Sequence, residues 1–241
     1  MSTSAMKHLI FLPGMACDAS VWQAQLAAAP SHWQTSVSDV HFRFDSIKGM
    51  AQALLRQAEG ADLVLCGASM GGMIAMEASR QAPDRIKGLA LLGTSARPET
   101  PDIQALREAA IKLYELGRAE EVLRANLQFA FHEDARSNQA ITDEYLRVIL
   151  AAGGEQLVKQ NRAVIGRPDA RLHLPAVQCA TLVMWGDSDQ LTPPECSKEI
   201  VALVPHASAV ELPRCGHMLT MEQPAAVNTA LLAWLSQLDS H

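Results

Sequence analysis

Three short stretches of this 241-residue chain carry side chains that together could cut an acyl bond. Ser69 stands in Gly67-Ala68-Ser69-Met70-Gly71, His217 in Cys215-Gly216-His217-Met218, and two aspartates in Gly186-Asp187-Ser188-Asp189. A serine hydroxyl is a weak nucleophile at neutral pH, so it needs a base within hydrogen-bond reach and a carboxylate to orient that base. Asp187 and Asp189 both qualify as the carboxylate, and each also suits a turn or a helix cap. A loop histidine is often structural. His217, however, follows an apolar pattern ending at Leu212 and precedes the last helical stretch, which puts it at the same sheet edge as Ser69. His206 lies before that strand and belongs to the opposite edge.

The elements that must position these residues are legible in the hydrophobic pattern. Short β-rich runs alternate with helical stretches, as in βα units around a mostly parallel sheet. Strands are expected at Lys7–Leu12, Ser36–Val40, Leu63–Cys66, Gly88–Leu92, Thr181–Trp185 and Ala209–Leu212, and helices at Ala19–Ala28, Ile47–Glu59, Met70–Gln81, Pro194–Leu203 and Pro224–Gln237. Leu63-Val64-Leu65-Cys66 and Leu89-Ala90-Leu91-Leu92 are unbroken apolar runs, as required where helices cover both faces of a sheet. A strand ending at Cys66, a serine two residues past Gly67 and a helix from Met70 describe a sharp strand-to-helix turn. Glycine at 67 and 71 lets the chain double back where a Cβ would strike backbone, and the helix start offers free N–H groups beside Ser69. The five-residue pattern alone is weak, since roughly one chain in ten of this length would carry it by chance. Its place between strand and helix makes it specific. Phosphate-binding loops also join a strand to a helix, but Gly67 to Gly72 has neither the G-x-G-x-x-G nor the G-x-x-x-x-G-K-[ST] spacing.

From Arg97 to Leu174 helical periodicity runs without a convincing strand. Residues 97–174 therefore read as a helical insertion into a core made of residues 1–96 and 175–241. Its basic and acidic side chains nearly cancel, so it is either added scaffold or a lid over a site at the carboxyl edge of the sheet.

Composition narrows the partners. Lys and Arg number 20 against 26 Asp and Glu, for a net charge of -6, and no cluster of basic residues offers a face to phosphate. Nucleic acid and anionic membrane are thereby excluded as expected partners. The apolar run His8–Leu12 is too short for a signal segment or a membrane span. Cys17, Cys66, Cys179, Cys196 and Cys215 are odd in number, widely spaced and lack a C-x-x-C pair, as expected of free thiols in a reducing cytoplasm. No metal or cofactor is expected: His132-Glu133-Asp134-Ala135-Arg136 misses H-E-x-x-H, and no cysteine pair has ligand spacing.

Over nearly its whole length the chain resembles the α/β-hydrolases that carry a helical cap, an α/β fold with a mostly parallel sheet flanked by helices. The resemblance implies that Ser69 is the elbow nucleophile. It assigns the acid to Asp189, through the G-x-x-D spacing after the penultimate strand, and the base to His217, through Gly216-His217 with Glu222-Gln223-Pro224. The order serine, aspartate, histidine agrees. A turn of three residues after Trp185 also lets the chain leave the sheet before a carboxylate at 189 swings back, whereas Asp187, directly after Gly186, suits a turn. An oxyanion hole is implied at Leu12-Pro13-Gly14-Met15 with Trp22, its donors being the N–H groups of Met15 and Met70. Pro13 replaces the family's histidine, which removes only the residue-13 N–H and makes the bracing of this loop the point of departure from the family.

The chemistry so implied is hydrolysis of a small carboxylic ester or lactone through an acyl-enzyme. The alternatives are a thioester or carbon–carbon bond hydrolase on the same fold, or a non-catalytic receptor for a small ligand. Met15, Met70 and Met218 adjoin the catalytic elements and are candidates for lining a soft, apolar substrate pocket, although methionine serves equally as core filler.

Overall fold

Six strands pair in parallel in the order β2-β1-β3-β4-β5-β6, where β1 is His8–Leu12, β2 Gln34–Val37, β3 Leu63–Ala68, β4 Ile86–Leu92, β5 Ala180–Gly186 and β6 Ser208–Leu212. The computed structural model describes residues 7–239. The four inner strands are the apolar runs, buried along most of their length. The edge strands, Gln-Thr-Ser-Val and Ser-Ala-Val-Glu-Leu, are polar and more exposed, as suits strands with one unpaired side.

Helices follow in chain order. A 3-10 turn at Ala19–Trp22 leads into α1 (Gln23–Ala28), then come α2 (Val40–Arg43), α3 (Ile47–Gln57) and α4 (Met70–Gln81). Between β4 and β5 lie α5 (Pro101–Glu115), α6 (Ala119–Ala130), α7 (Glu133–Arg136), α8 (Gln139–Ala152) and α9 (Gly154–Ile165), and after β5 come α10 (Pro194–Leu203), α11 (Leu219–Glu222) and α12 (Pro224–Leu238).

Side chains alternate between the sheet's two faces, because successive strand residues point opposite ways. Ile10, Leu12, Leu63, Leu65, Leu89 and Leu91 pack with Ile47, Met50 and Leu54 of α3, Met73 and Ile74 of α4 and Ile200 of α10. Leu9, Phe11, Val64, Cys66, Ala90, Leu92, Leu182 and Met184 pack on the other side with Trp22 and with Val227, Leu231, Trp234 and Leu235 of α12. That second cluster continues into the inserted helices through Tyr114, Leu123, Phe131, Tyr145, Leu146 and Leu157. The segment between β4 and β5 is thus tied into both apolar clusters, since Ala163, Val164, Ala170 and Leu174 pack with the first. Its first helix is capped by Thr100, whose Oγ1 accepts from the Ile103 N–H, with Pro101 in the first turn.

The second expected strand is displaced. The pairing runs over Gln34–Val37, not Ser36–Val40: the Ser38 N–H still bonds to the Phe11 carbonyl, after which the chain turns into α2. Val40 is apolar because it is fully buried in the cluster under α3, a helical role that strand periodicity cannot distinguish over five residues.

The register sets up everything that follows. Leu12 pairs with Gly67, Ala68 with Leu92, Leu92 with Met184 and Gly186 with Leu212, so five strands end level. The loops that leave them meet along one edge. Strand order reverses between β1 and β3, which opens the crevice where such sheets bind ligands, and Gly14 and Ser69 flank it.

Candidate active site

Ser69 sits at the junction of β3 and α4 with φ 53° and ψ -118°, a backbone region rarely adopted by a residue with a side chain. The turn is held from two sides: the Ser69 N–H bonds to the Leu92 carbonyl at 2.9 Å, and Thr94 Oγ1 donates to the Ser69 carbonyl at 2.7 Å. The flanking glycines permit the fold-back. A Cβ on Gly71 would lie 1.9 Å from the Leu12 carbonyl oxygen, and one on Gly67 would lie 2.4 Å from the Gly71 carbonyl carbon. Backbone cannot yield as a flexible side chain can. Gly71→Ala is accordingly expected to lower the stability of the fold by at least ~3 kcal/mol, read as a shift of the urea unfolding midpoint.

Asp189 and His217 meet directly. His217 Nδ1 and Asp189 Oδ2 are 2.8 Å apart, and both side chains are almost fully buried. Asp189 is further held by the N–H groups of Leu191 and Thr192, each 2.9 Å from Oδ1, and by the Thr192 hydroxyl, 2.8 Å from Oδ2. Thr192 Oγ1 also lies 3.2 Å from His217 Nδ1. Burial alone would push the Asp189 carboxyl above its ordinary pKa, but the His217 charge, the hydrogen bond to it and the Thr192 donors outweigh burial and hold it below. For His217 burial favours the neutral ring, yet the Asp189 charge and hydrogen bond prevail and raise its pKa above the usual imidazole value.

Asp187 is placed otherwise. It is exposed, and its carboxylate accepts from the N–H groups of Arg214 and Cys215, tying the loop after β5 to the loop after β6. Both hydrogen bonds of the His217 ring run through Nδ1, leaving Nε2 without a partner among the described residues. The ring stands over the end of β4: a Cβ on Gly93 would lie 3.5 Å from His217 Nδ1 and 3.3 Å from Asp189 Oδ2. Gly93 directly follows Leu92, to whose carbonyl Ser69 is bonded, so the serine and the histidine occupy adjacent strand ends.

Several further groups position these residues. Glu222 accepts from the N–H groups of Gly216 and Met218 on either side of His217, and also from the His132 N–H in the inserted helical segment. Burial raises its pKa above the ordinary carboxylate value despite these three donors. Of these groups Glu222 alone had a signal, its place in the Gly-His…Glu-x-Pro pattern. Thr192, Gly93 and Thr94 are loop residues of ordinary type whose roles depend on which strand ends are neighbours.

The loop after β1 lies against the elbow, since a Cβ on Gly14 would be 3.4 Å from the Ser69 Cβ. Among the described residues neither the Met15 nor the Met70 N–H donates to another protein group. Bracing comes from outside the loop. The Ala16 N–H, at a residue with φ 55°, donates to Gln160 Oε1 at 2.6 Å; Gln160 Nε2 donates to the His41 carbonyl, and His41 Nε2 lies 2.8 Å from the Cys17 carbonyl oxygen. Asn161 Nδ2 in turn lies 3.2 Å from Met15 Sδ. Met15 and Met218 are half-buried, whereas the Met70 side chain is 1% exposed and packs within the core under α4.

A cavity of about 540 Å³, lined by Arg80, Lys87, His173 and Cys179 among others, opens at the amino ends of β4 and β5 and includes none of Ser69, Asp189 and His217. No group of three or more histidine, cysteine or acidic side chains is arranged to hold a metal ion among the described residues. Nor is any helix among them long and apolar enough to cross a membrane. The five cysteines are free.

Comparison with known proteins agrees with this architecture. The chain is 26% identical over 243 residues to the "Putative carbamate hydrolase RutD" of Serratia proteamaculans, covering 94% of this chain and 90% of that protein. Among solved structures it superposes on a thermophilic esterase from Thermogutta terrifontis, determined with malate bound, with a TM-score of 0.87 and 25% identity, covering 98% of this chain and 92% of the other. It also matches an enol-lactonase from Burkholderia xenovorans with a TM-score of 0.86, covering 98% and 94%; at 21% identity that likeness concerns the fold. The sequence model for the alpha/beta hydrolase fold matches residues 7–224, and with the level strand ends, the strained serine and the buried Asp189–His217 pair it places this chain in the alpha/beta hydrolase family.

Proposed function

We propose that this hydrolase cleaves a small carboxylic ester or lactone through an acyl-enzyme on Ser69. The observation that carries the reading is the buried 2.8 Å contact between His217 Nδ1 and Asp189 Oδ2, which fixes the ring tautomer and leaves Nε2 free to act as base. Ser69 Oγ bonds to the carbonyl carbon while its proton passes to Nε2. Negative charge gathers on the carbonyl oxygen, where the Met15 and Met70 N–H groups are the donors; each such donor is worth roughly 10²–10³ in rate. Collapse breaks the acyl–oxygen bond, and the leaving oxygen takes the proton from Nε2. Water then repeats the sequence on the acyl-enzyme and frees Ser69.

Residues 97–174 serve in this reading as a cap over the site, set on the core of residues 1–96 and 175–241, with Met15 and Met218 lining the acyl pocket. Met70 contributes its N–H, its side chain being packed away. The substrate is a small molecule, neither nucleic acid nor membrane lipid, and the unpaired thiols suit the cytoplasm.

A panel of esters, lactones and thioesters of graded acyl length tests the proposal, with kcat/KM followed against pH. Protonated His217 cannot accept the serine proton, so activity should fall as pH drops through the His217 pKa. Because Asp189 raises that pKa, the midpoint is expected above about 6.5, the unperturbed histidine value. A rate independent of pH across this range, with the fold intact, would remove His217 as the base.

A further inference from the structure

Four polar side chains of the inserted segment form a buried network with an excess positive charge. Arg107 Nε donates to Glu99 Oε1 at 2.7 Å, and Arg167 Nη1 donates to the same oxygen at 2.5 Å. Arg107 Nη1 donates to Asn161 Oδ1 at 3.0 Å. Glu99 and Arg167 are only 7% and 6% exposed in their side chains, so one carboxylate is shared by two guanidinium groups in a largely dry place. Arg167 is otherwise occupied, donating to the carbonyls of Arg97 and Val164. Arg107 retains unused donors, and 27% of its side chain is accessible.

The direction in which that surplus faces follows from the helix. Arg107 shares a stripe of α5 with Ile111 and Tyr114, four and seven residues on, both buried, while its immediate neighbours Leu106 and Glu108 are exposed. Its partner Asn161 is itself buried and lies 3.2 Å from Met15 Sδ, in the loop that touches Ser69. Two contacts thus link the guanidinium to the oxyanion loop. The Arg107 charge is also felt at the reaction centre, where it works against protonation of His217. A cation held in low dielectric without a full counter-charge is costly, and an arginine fork matches a carboxylate in geometry and charge.

We propose that Arg107 is the recognition group for a carboxylate on the substrate, so that the enzyme's preferred esters or lactones are anionic ones bearing a free carboxylate a few bonds from the scissile carbonyl. The inference rests on the ester or lactone reading above and names the substrate class for the same site.

The test compares p-nitrophenyl hemisuccinate with p-nitrophenyl butyrate, which differ in one end of the acyl chain, a carboxylate against a methyl group. Wild type is expected to favour the hemisuccinate by at least tenfold in kcat/KM. Arg107→Gln should reduce that ratio by tenfold or more, mainly through KM for the anionic ester, and Arg107→Lys should restore part of it. Circular dichroism and thermal melting confirm that each variant is folded. Hydrolysis of butyrate as fast as hemisuccinate by wild type, or an unchanged ratio in Arg107→Gln, overturns the inference while leaving the serine-ester reading intact. If neither ester is cleaved, that reading fails, and calorimetric titration of the Ser69→Ala protein with monomethyl succinate and methyl butyrate decides the inference alone. Binding of the anion that is lost in Ser69→Ala/Arg107→Gln upholds it, and equal or absent binding of the two overturns it.

Discussion

Ser69→Ala is expected to lower kcat by about 10⁶-fold, the scale at which removal of a triad serine leaves only binding and oxyanion stabilisation. Ser69 in the wild-type protein should be labelled by a fluorophosphonate, and the adduct should vanish in the variant. The loss would be chemical, because alanine keeps the elbow: its Cβ occupies the place of the serine Cβ, and the backbone bonds to Leu92 and Thr94 do not involve the hydroxyl. Ser69→Gly separates chemistry from strain. Glycine adopts φ 53° and ψ -118° more easily than any residue with a Cβ, so this variant should be as inactive as Ser69→Ala yet more stable by about 1 kcal/mol in urea melts. An adduct on another residue, or appreciable ester turnover in both variants, would displace Ser69 from the mechanism.

Asp189→Asn should cost about 10⁴-fold in kcat, as neutralising the aspartate of such a triad does. Asparagine can still accept from the Leu191 and Thr192 N–H groups, so the loop after β5 should hold its shape. The ring of His217 is what changes. It loses the carboxylate that fixed its tautomer, and burial, which favours the neutral ring, is no longer opposed by the Asp189 charge. The sign follows: the His217 pKa falls, and the acid limb of the residual activity moves to lower pH. Asp187→Asn should lack both signatures and show only a modest loss of stability, about 1 kcal/mol, since it is an exposed carboxylate that bonds to the Arg214 and Cys215 N–H groups. Reversed effects would make Asp187 the orienting acid.

The sequence by itself determined what depends on residues close together in the chain. Unbroken apolar runs announced the inner strands, the glycines around Ser69 announced a fold-back that the backbone contacts of Gly67 and Gly71 explain, and the three-residue turn together with the family's G-x-x-D spacing favoured Asp189 over Asp187 as the carboxylate that meets His217. Even locally the signal had a limit, for an apolar Val40 serves a helix as well as a strand, and the expected second strand was displaced. Tertiary structure alone decided which distant groups brace the site. Pro13 in the loop after β1 gave no hint that Gln160 and Asn161, more than 140 residues away, would support it, nor that Glu222 would join the His217 loop to His132. Such polar partners carry no periodicity and no turn signature. Glutamine, asparagine and arginine on an amphipathic helix look the same whether they face water or a buried neighbour, and only the packing of α5 against α9 gives Arg107 its partners Glu99 and Asn161 instead of leaving it one more solvated cation.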